Sequence, residues 1–114
     1  MEMHVTKLIG LLVVVCIVVA CSITVPVRGF IQNSSETFTG TTTGYLDRSG
    51  KLTVITSDGT TCNGDFVYVT PRTGEGVFHC NDGRSGPFQF ASTGLHGTGN
   101  GKLADKTFIF TFGD

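Results

Sequence analysis

Few residues in this chain have types and spacing that could do chemistry. Gly83-Arg84-Ser85-Gly86-Pro87 approaches the Gly-x-Ser-x-Gly pattern of a nucleophile elbow, in which a tight turn lifts a serine hydroxyl over a sheet. Pro87 occupies the place of the last glycine, and the elbow needs an α/β setting that this chain does not supply, so Ser85 reads as a turn residue. The run Gly94-Leu95-His96-Gly97-Thr98-Gly99-Asn100-Gly101 is glycine-rich enough to suggest a phosphate cradle. It lacks both the Gly-x-Gly-x-x-Gly spacing and a helix whose N-terminus would face the anion, and reads as a flexible edge strand over 97–103. His79 and His96 share no ligand spacing with each other or with carboxylates such as Asp82, so no metal site is expected. Asp58, Asp65 and Asp82 are carboxylates that could pair for acid–base work, but Asp58 and Asp82 precede glycine, where turn chemistry explains them. No cofactor and no enzymatic activity is expected. What remains is a binding candidate at residues 81–90, NDGRSGPFQF. There Arg84 on a hairpin tip, with Asp82, Ser85 and Phe88 around it, would offer a guanidinium to an anionic partner or a protein cleft.

Something must position these residues, and composition says what. The chain has 114 residues, room for one domain. Its formal net charge of −1 and singly scattered Lys and Arg give no footprint for nucleic acid. Trp is absent, and eight of the nine Phe lie between Phe38 and Phe112, among 16 Gly and frequent Thr. That mixture favours short strands and tight turns over helices. The pattern predicts strands over 37–45, 51–57, 62–70, 75–81, 87–93, 97–103 and 106–112. Phe66 and Tyr68 share a face by two-residue alternation, as do Phe88 and Phe90, and as do Phe108, Phe110 and Phe112. Asp58-Gly59 and Asp82-Gly83 suit two-residue hairpins with φ > 0 at both central positions. Residues 47–50 and 71–74 suit longer loops, each closed by a left-handed glycine. DGTTCNGDF at 58–66 and DGRSGPF at 82–88 echo each other and read as one hairpin device used twice. The expected fold is all-β, an antiparallel meander of six to seven short strands forming a curled sheet or small barrel. Glycines within the strands would allow the bending.

The first 20 residues are of another kind. MEMHVTK is a polar head with one Lys, and Leu8 to Ala20 carries no charge. An apolar core of that length fits an export signal better than a spanning helix, which wants about 20 residues. Its exit, Val18-Val19-Ala20-Cys21, resembles the lipobox of bacterial lipoproteins, with Val where Leu is commoner. The resemblance implies a signal peptide over 1–20 and cleavage before Cys21. It also implies acyl chains on Cys21 and attachment to the outer membrane facing the periplasm. The alternative is an uncleaved single-pass anchor running to Val27. Residues 21–36 then read as the lipidated N-terminus and a flexible tether, and 37–114 as the β domain. If Cys16 leaves with the signal and Cys21 carries lipid, Cys62 and Cys80 remain for a disulfide. A hairpin turning at Pro71-Arg72 places them level, and a ring of that size is worth about 3 kcal/mol.

The resulting expectation is a lipid-anchored bacterial envelope protein, a binding or structural module held to the membrane and facing an envelope protein partner. A narrower version comes from Ser85-Gly86-Pro87-Phe88, which resembles the Ser-Gly-x-x-Tyr loop of the membrane-bound inhibitors of c-type lysozyme, with Phe88 as the aromatic, one position short of the Tyr. That resemblance implies an inhibitor of an envelope hydrolase.

Overall fold

The computed structural model describes residues 22–113. The expected signal segment 1–20 and the lipidation site Cys21 lie outside those residues. Eight strands follow one another: β1 (Ser22–Ile31), β2 (Thr37–Tyr45), β3 (Ser49–Thr56), β4 (Thr61–Tyr68), β5 (Thr73–Cys80), β6 (Ser85–Thr93), β7 (His96–Leu103) and β8 (Lys106–Phe112). Each pairs antiparallel with its neighbour in sequence, and β1 pairs with β8 to close the barrel. The all-β small barrel is therefore formed, with eight strands rather than six or seven.

The additional strand is β1, which corrects the expectation of a tether over 21–36. Pro, Gly and Ser in that stretch suggest a spacer, yet Val27 and Ile31 alternate inward and are 3% and 1% exposed. Pro26 is tolerated because of where its nitrogen points. Its carbonyl accepts the Gly113 N–H at 3.0 Å on the β8 side, so the missing donor falls at the end of that ladder, whose register begins at Val27.

The interior is built from phenylalanine lying over glycine. Gly50 faces Phe66, Phe66 faces Gly76, Gly76 faces Phe88 and Phe88 faces Gly101 around successive strands. A methyl group added at Gly76 or Gly101 would come within 2.6 Å of the Phe88 or Phe108 ring. Each ring thus covers bare backbone on its neighbour, and the strands coil tightly because nothing bulkier is present. The same arrangement corrects the edge-strand reading of 97–103. Strand β7 is paired on both sides, with Gly97, Gly99 and Gly101 opposite Phe112, Phe110 and Phe108. Gly50 and Gly74, expected as left-handed loop ends, instead sit inside β3 and β5 against Phe66 and Phe90. The left-handed residue of the first of those loops is Arg48, at φ 69.

The two Asp-Gly turns differ from expectation in one respect: only Gly59 (φ 91) and Gly83 (φ 94) are left-handed, not the aspartates. Gly59 N–H donates to Thr56 C=O at 2.9 Å and Thr56 N–H to Thr60 C=O at 2.8 Å. Gly83 and Cys80 repeat this, at 3.1 Å to Cys80 C=O and 2.8 Å to Arg84 C=O. Both are type I turns closed by a glycine bulge, so the echoed sequences do build one device twice. Between them Cys62 and Cys80 are direct partners in the β4–β5 ladder and are joined by a disulfide.

Up-and-down connectivity sorts the loops by end. Loops 32–36, 57–60, 81–84 and 104–105 lie at one end with the disulfide. Loops 46–48, 69–72 and 94–95, together with Ser22 and Gly113, lie at the other.

Candidate functional site

The sequence points to the tip at 81–84 as the binding candidate, and the structure gives that tip another task. Arg84 donates from Nη1 and Nη2 to the two carboxylate oxygens of Glu36, each at 2.9 Å, and from Nε to Asp82 at 2.8 Å. The end-on fork of the guanidinium is thereby engaged by Glu36, across 48 residues of sequence, and its Nε–H by Asp82. The Glu36 carboxylate, then burial and Asp82, govern Arg84, and the balance favours its charged form still further. Asp82 is held below the usual carboxylate range, first by the Arg84 backbone N–H. Asp58 lies lower, at about 2, chiefly through the hydrogen bond from the Thr56 hydroxyl. Phe88 is not at the tip at all: it is 3% exposed, in the core. Ser85 is the exposed first residue of β6, so Ser85 to Phe88 form part of a strand rather than a projecting loop. Arg84, Asp82 and Glu36 form a structural clasp that ties loop 32–36 to loop 81–84, and Phe88 is not part of it. Beneath it Phe108, Phe78 and Ile31 are 0%, 1% and 1% exposed, so this end is filled.

The opposite end is not filled. A cavity of about 210 Å³ opens there. Leu52, Phe66, Phe88, Phe90 and Phe110 line its depth. Val25, Thr42, Gly44, Tyr68 and Phe112 form its wall, and Ile23, Tyr45, Leu46, Gly94 and Leu95 its rim. Two local features leave it open. Strand β8 reaches only to Phe112, the partner of Val27, and its last bond is from Gly113 N–H to Pro26 C=O, so residues 22–25 of β1 run on past it. The inward positions of β2 nearest the mouth are also small, Thr42 and Gly44, and a Cβ at Gly44 would meet nothing within 4 Å. The surrounding rings are fixed by edge-to-face contacts: Phe66–Phe90 at 5.0 Å, Tyr68–Phe90 at 5.2 Å and Phe90–Phe112 at 5.8 Å.

The polar groups of this cavity are few. The Tyr68 hydroxyl makes a long bond of 3.4 Å to Ser92 Oγ, and the Thr42 hydroxyl donates to Lys51 C=O at 3.1 Å. A phenol held this weakly is available to a ligand's polar end, while everything deeper is hydrocarbon. That is the composition of a small-molecule pocket, mostly apolar with a few orienting groups. A larger depression of about 1010 Å³ crosses the outer face of β3 to β8. Exposed, solvated side chains such as Lys51, Asp65, Glu75 and Gln89 line it, with Lys51–Asp65 an open pair at 3.7 Å. It offers little that water does not.

His79 and His96 stand exposed on different strands. Among the described residues no three His, Cys, Asp or Glu side chains come together in a way that could hold a metal. Reading the residues in order missed the mouth because none of them is chemically reactive. Its signal was apolar residues where turns should be polar, at Leu46 and Leu95, beside an inward Thr42 and Gly44.

No protein-family model and no curated protein matches the sequence. Solved structures do match the fold. A redesigned β-barrel bound to DFHBI superposes with a TM-score of 0.62 at 16% identity, over 80% of this chain and 92% of that one. A de novo designed fluorescence-activating β-barrel gives 0.61 at 13% identity, over 78% of this chain and 88% of that one. The chain is similar to these in its fold, a small closed antiparallel barrel.

Proposed function

We propose that this protein is a binding module of the bacterial envelope, anchored to the membrane through its N-terminus, whose barrel takes the apolar part of a small ligand into its open mouth. The observation that carries the binding half is the apolar cavity of about 210 Å³ at one end of a barrel whose other end is filled and clasped. Burying hydrocarbon there stabilises the complex by about 0.8 kcal/mol per methylene, with Tyr68 left to orient a polar head. That one of the similar designed barrels is bound to DFHBI supports the idea that a small β-barrel of this fold leaves room for an organic molecule. The anchoring half rests on the apolar run Leu8 to Ala20 and the lipobox-like Val18-Val19-Ala20-Cys21, with Cys21 as the acylated residue.

Residues 22–114 contain the whole barrel and its core, so a soluble form without the first 21 residues serves for titration. Straight-chain carboxylates of increasing length are expected to bind with affinity rising about fourfold per methylene until the cavity is full. Gly44→Phe fills the cavity from a position with open space and abolishes that rise while the barrel still unfolds cooperatively. Affinity that ignores chain length, or survives Gly44→Phe, removes the binding reading. Mass spectrometry of the detergent-extracted full chain tests the anchor: residues 21–114 plus acyl chains are expected.

A further inference from the structure

The apolar surface of the barrel is not evenly spread. Among the described residues nine large hydrophobic side chains are exposed, and six of them cluster at the mouth: Ile23, Tyr45, Leu46, Val67, Val69 and Leu95. Leu46 and Leu95 lie in turns and are 77% and 59% exposed, against no core demand. A rim this apolar around an apolar cavity is a contiguous patch of the kind that marks a partner.

The position of the chain's remaining residues says which partner. The barrel begins at Ser22, at the mouth, and the strongly apolar run of the sequence ends at Ala20. Because residues 22–31 are strand and not tether, no slack separates the barrel from that run. Whether the chain is held by lipid on Cys21 or by residues 8–20 themselves, the point of attachment lies one or two residues from the mouth. Charge agrees with this. The mouth loops carry Arg48 and Arg72 against Asp47, while the opposite loops carry Glu36, Asp58, Asp82 and Asp105 against Arg84. With Asp114 following Gly113 the mouth is near neutral, so anionic headgroups are repelled by the clasped end and not by the mouth. The barrel wall itself stays in water, since outward strand positions hold Thr39, Thr41, Lys51, Asp65, Glu75 and Asn100, the reverse of a lipid-facing wall.

We infer that the mouth rests on the lipid bilayer, with Leu46, Val69 and Leu95 in the boundary between headgroups and acyl chains, and that the cavity opens directly onto the acyl layer. This deepens the reading above and rests on its anchoring half. It makes the bilayer both the docking partner and the source of the apolar ligand, and the clasped end the face turned away.

The absence of Trp makes the test direct, because each Trp variant carries a single reporter. The full chain bearing Leu46→Trp, Leu95→Trp or Asp105→Trp is reconstituted into vesicles of phosphatidylethanolamine and phosphatidylglycerol doped with dibrominated phosphatidylcholine. Emission of the two mouth reporters is expected to fall by roughly half, since docking places them within about 5–10 Å of the brominated chains. Asp105→Trp, about 20 Å away along the strands, is expected to keep its emission. Vesicle-bound chain with all three reporters unquenched, or all three quenched alike, overturns the orientation while leaving the anchor intact. Chain that does not float with the vesicles overturns the anchor and this inference with it.

Discussion

The clasped end and the mouth are made from the same eight strands, yet they solve opposite problems. At the clasped end Phe108, Phe78 and Ile31 fill the interior, Cys62–Cys80 staples two strands, and Glu36, Asp82 and Arg84 tie two loops together. At the mouth Thr42 and Gly44 stand where large side chains would close the barrel, β1 overruns β8, and Leu46 and Leu95 face outward. The difference teaches that a filled, fastened region and a hollow one are separated along the barrel axis. One end is over-determined, which leaves the other free to stay hollow. A cavity is costly in a core this small, and a firm base offsets it.

Truncating a filled site and a hollow one should expose that separation most clearly. Phe108→Ala is expected to cost about 3–5 kcal/mol in denaturant unfolding, because a fully enclosed ring leaves a void. Phe112→Ala, on the mouth wall, is expected to cost about 1–2 kcal/mol, since its loss only enlarges an existing opening. Equal costs would mean that the mouth is packed like the base. Next in size is the staple. Replacing Cys62 and Cys80 together by Ala is expected to remove about 3 kcal/mol while leaving chain-length-dependent binding unchanged, because the bridge sits at the other end. Loss of binding in a variant that remains folded would couple the two ends and break the comparison.

The clasp should respond to charge and to acid. Glu36→Gln removes the charge facing a mostly buried guanidinium and is expected to cost about 1.5–3 kcal/mol. Asp58 and Asp82 have folded pKa values below their ordinary value of 3.8, so protonation is harder in the folded state than in the unfolded one. Their stabilisation is complete above about pH 4 and is lost as pH falls, finishing near 2 for Asp58. Acid titration of stability should therefore decline across that window, and Asp58→Asn should flatten part of the decline. The smallest expected effect lies at the rim. Leu46→Ser and Leu95→Ser are expected to change stability by no more than about 0.5 kcal/mol while weakening capture of apolar ligands. A large loss of stability there would show the rim to be core.

Much of this was legible in the residues. The Phe alternation at 66/68, 88/90 and 108–112, the Asp-Gly turns and the cysteine count led to an all-β barrel with a Cys62–Cys80 bridge. Strand β1 was not legible, because Pro26 and Gly29 signal breaks and nothing local reveals that Pro26 sits where a ladder ends. The role of Arg84 was hidden for a similar reason: a turn arginine looks free until Glu36, 48 residues away, is brought beside it. The mouth left a trace in Leu46 and Leu95, but apolar turn residues mean little until a cavity lies beneath them.

Local chemistry thus determined what could be read one or two neighbours at a time: two-residue alternation, turn positions, and an apolar head ending at Cys21. The tertiary structure decided what depends on closure. Pairing β1 with β8 turned a spacer into a wall and put Gly97, Gly99 and Gly101 under phenylalanine rings. It also decided which end of the barrel would be full. The physical reason is that a closed sheet fixes every strand's stagger against all the others, and that sum over eight registers is not held in any single stretch of sequence.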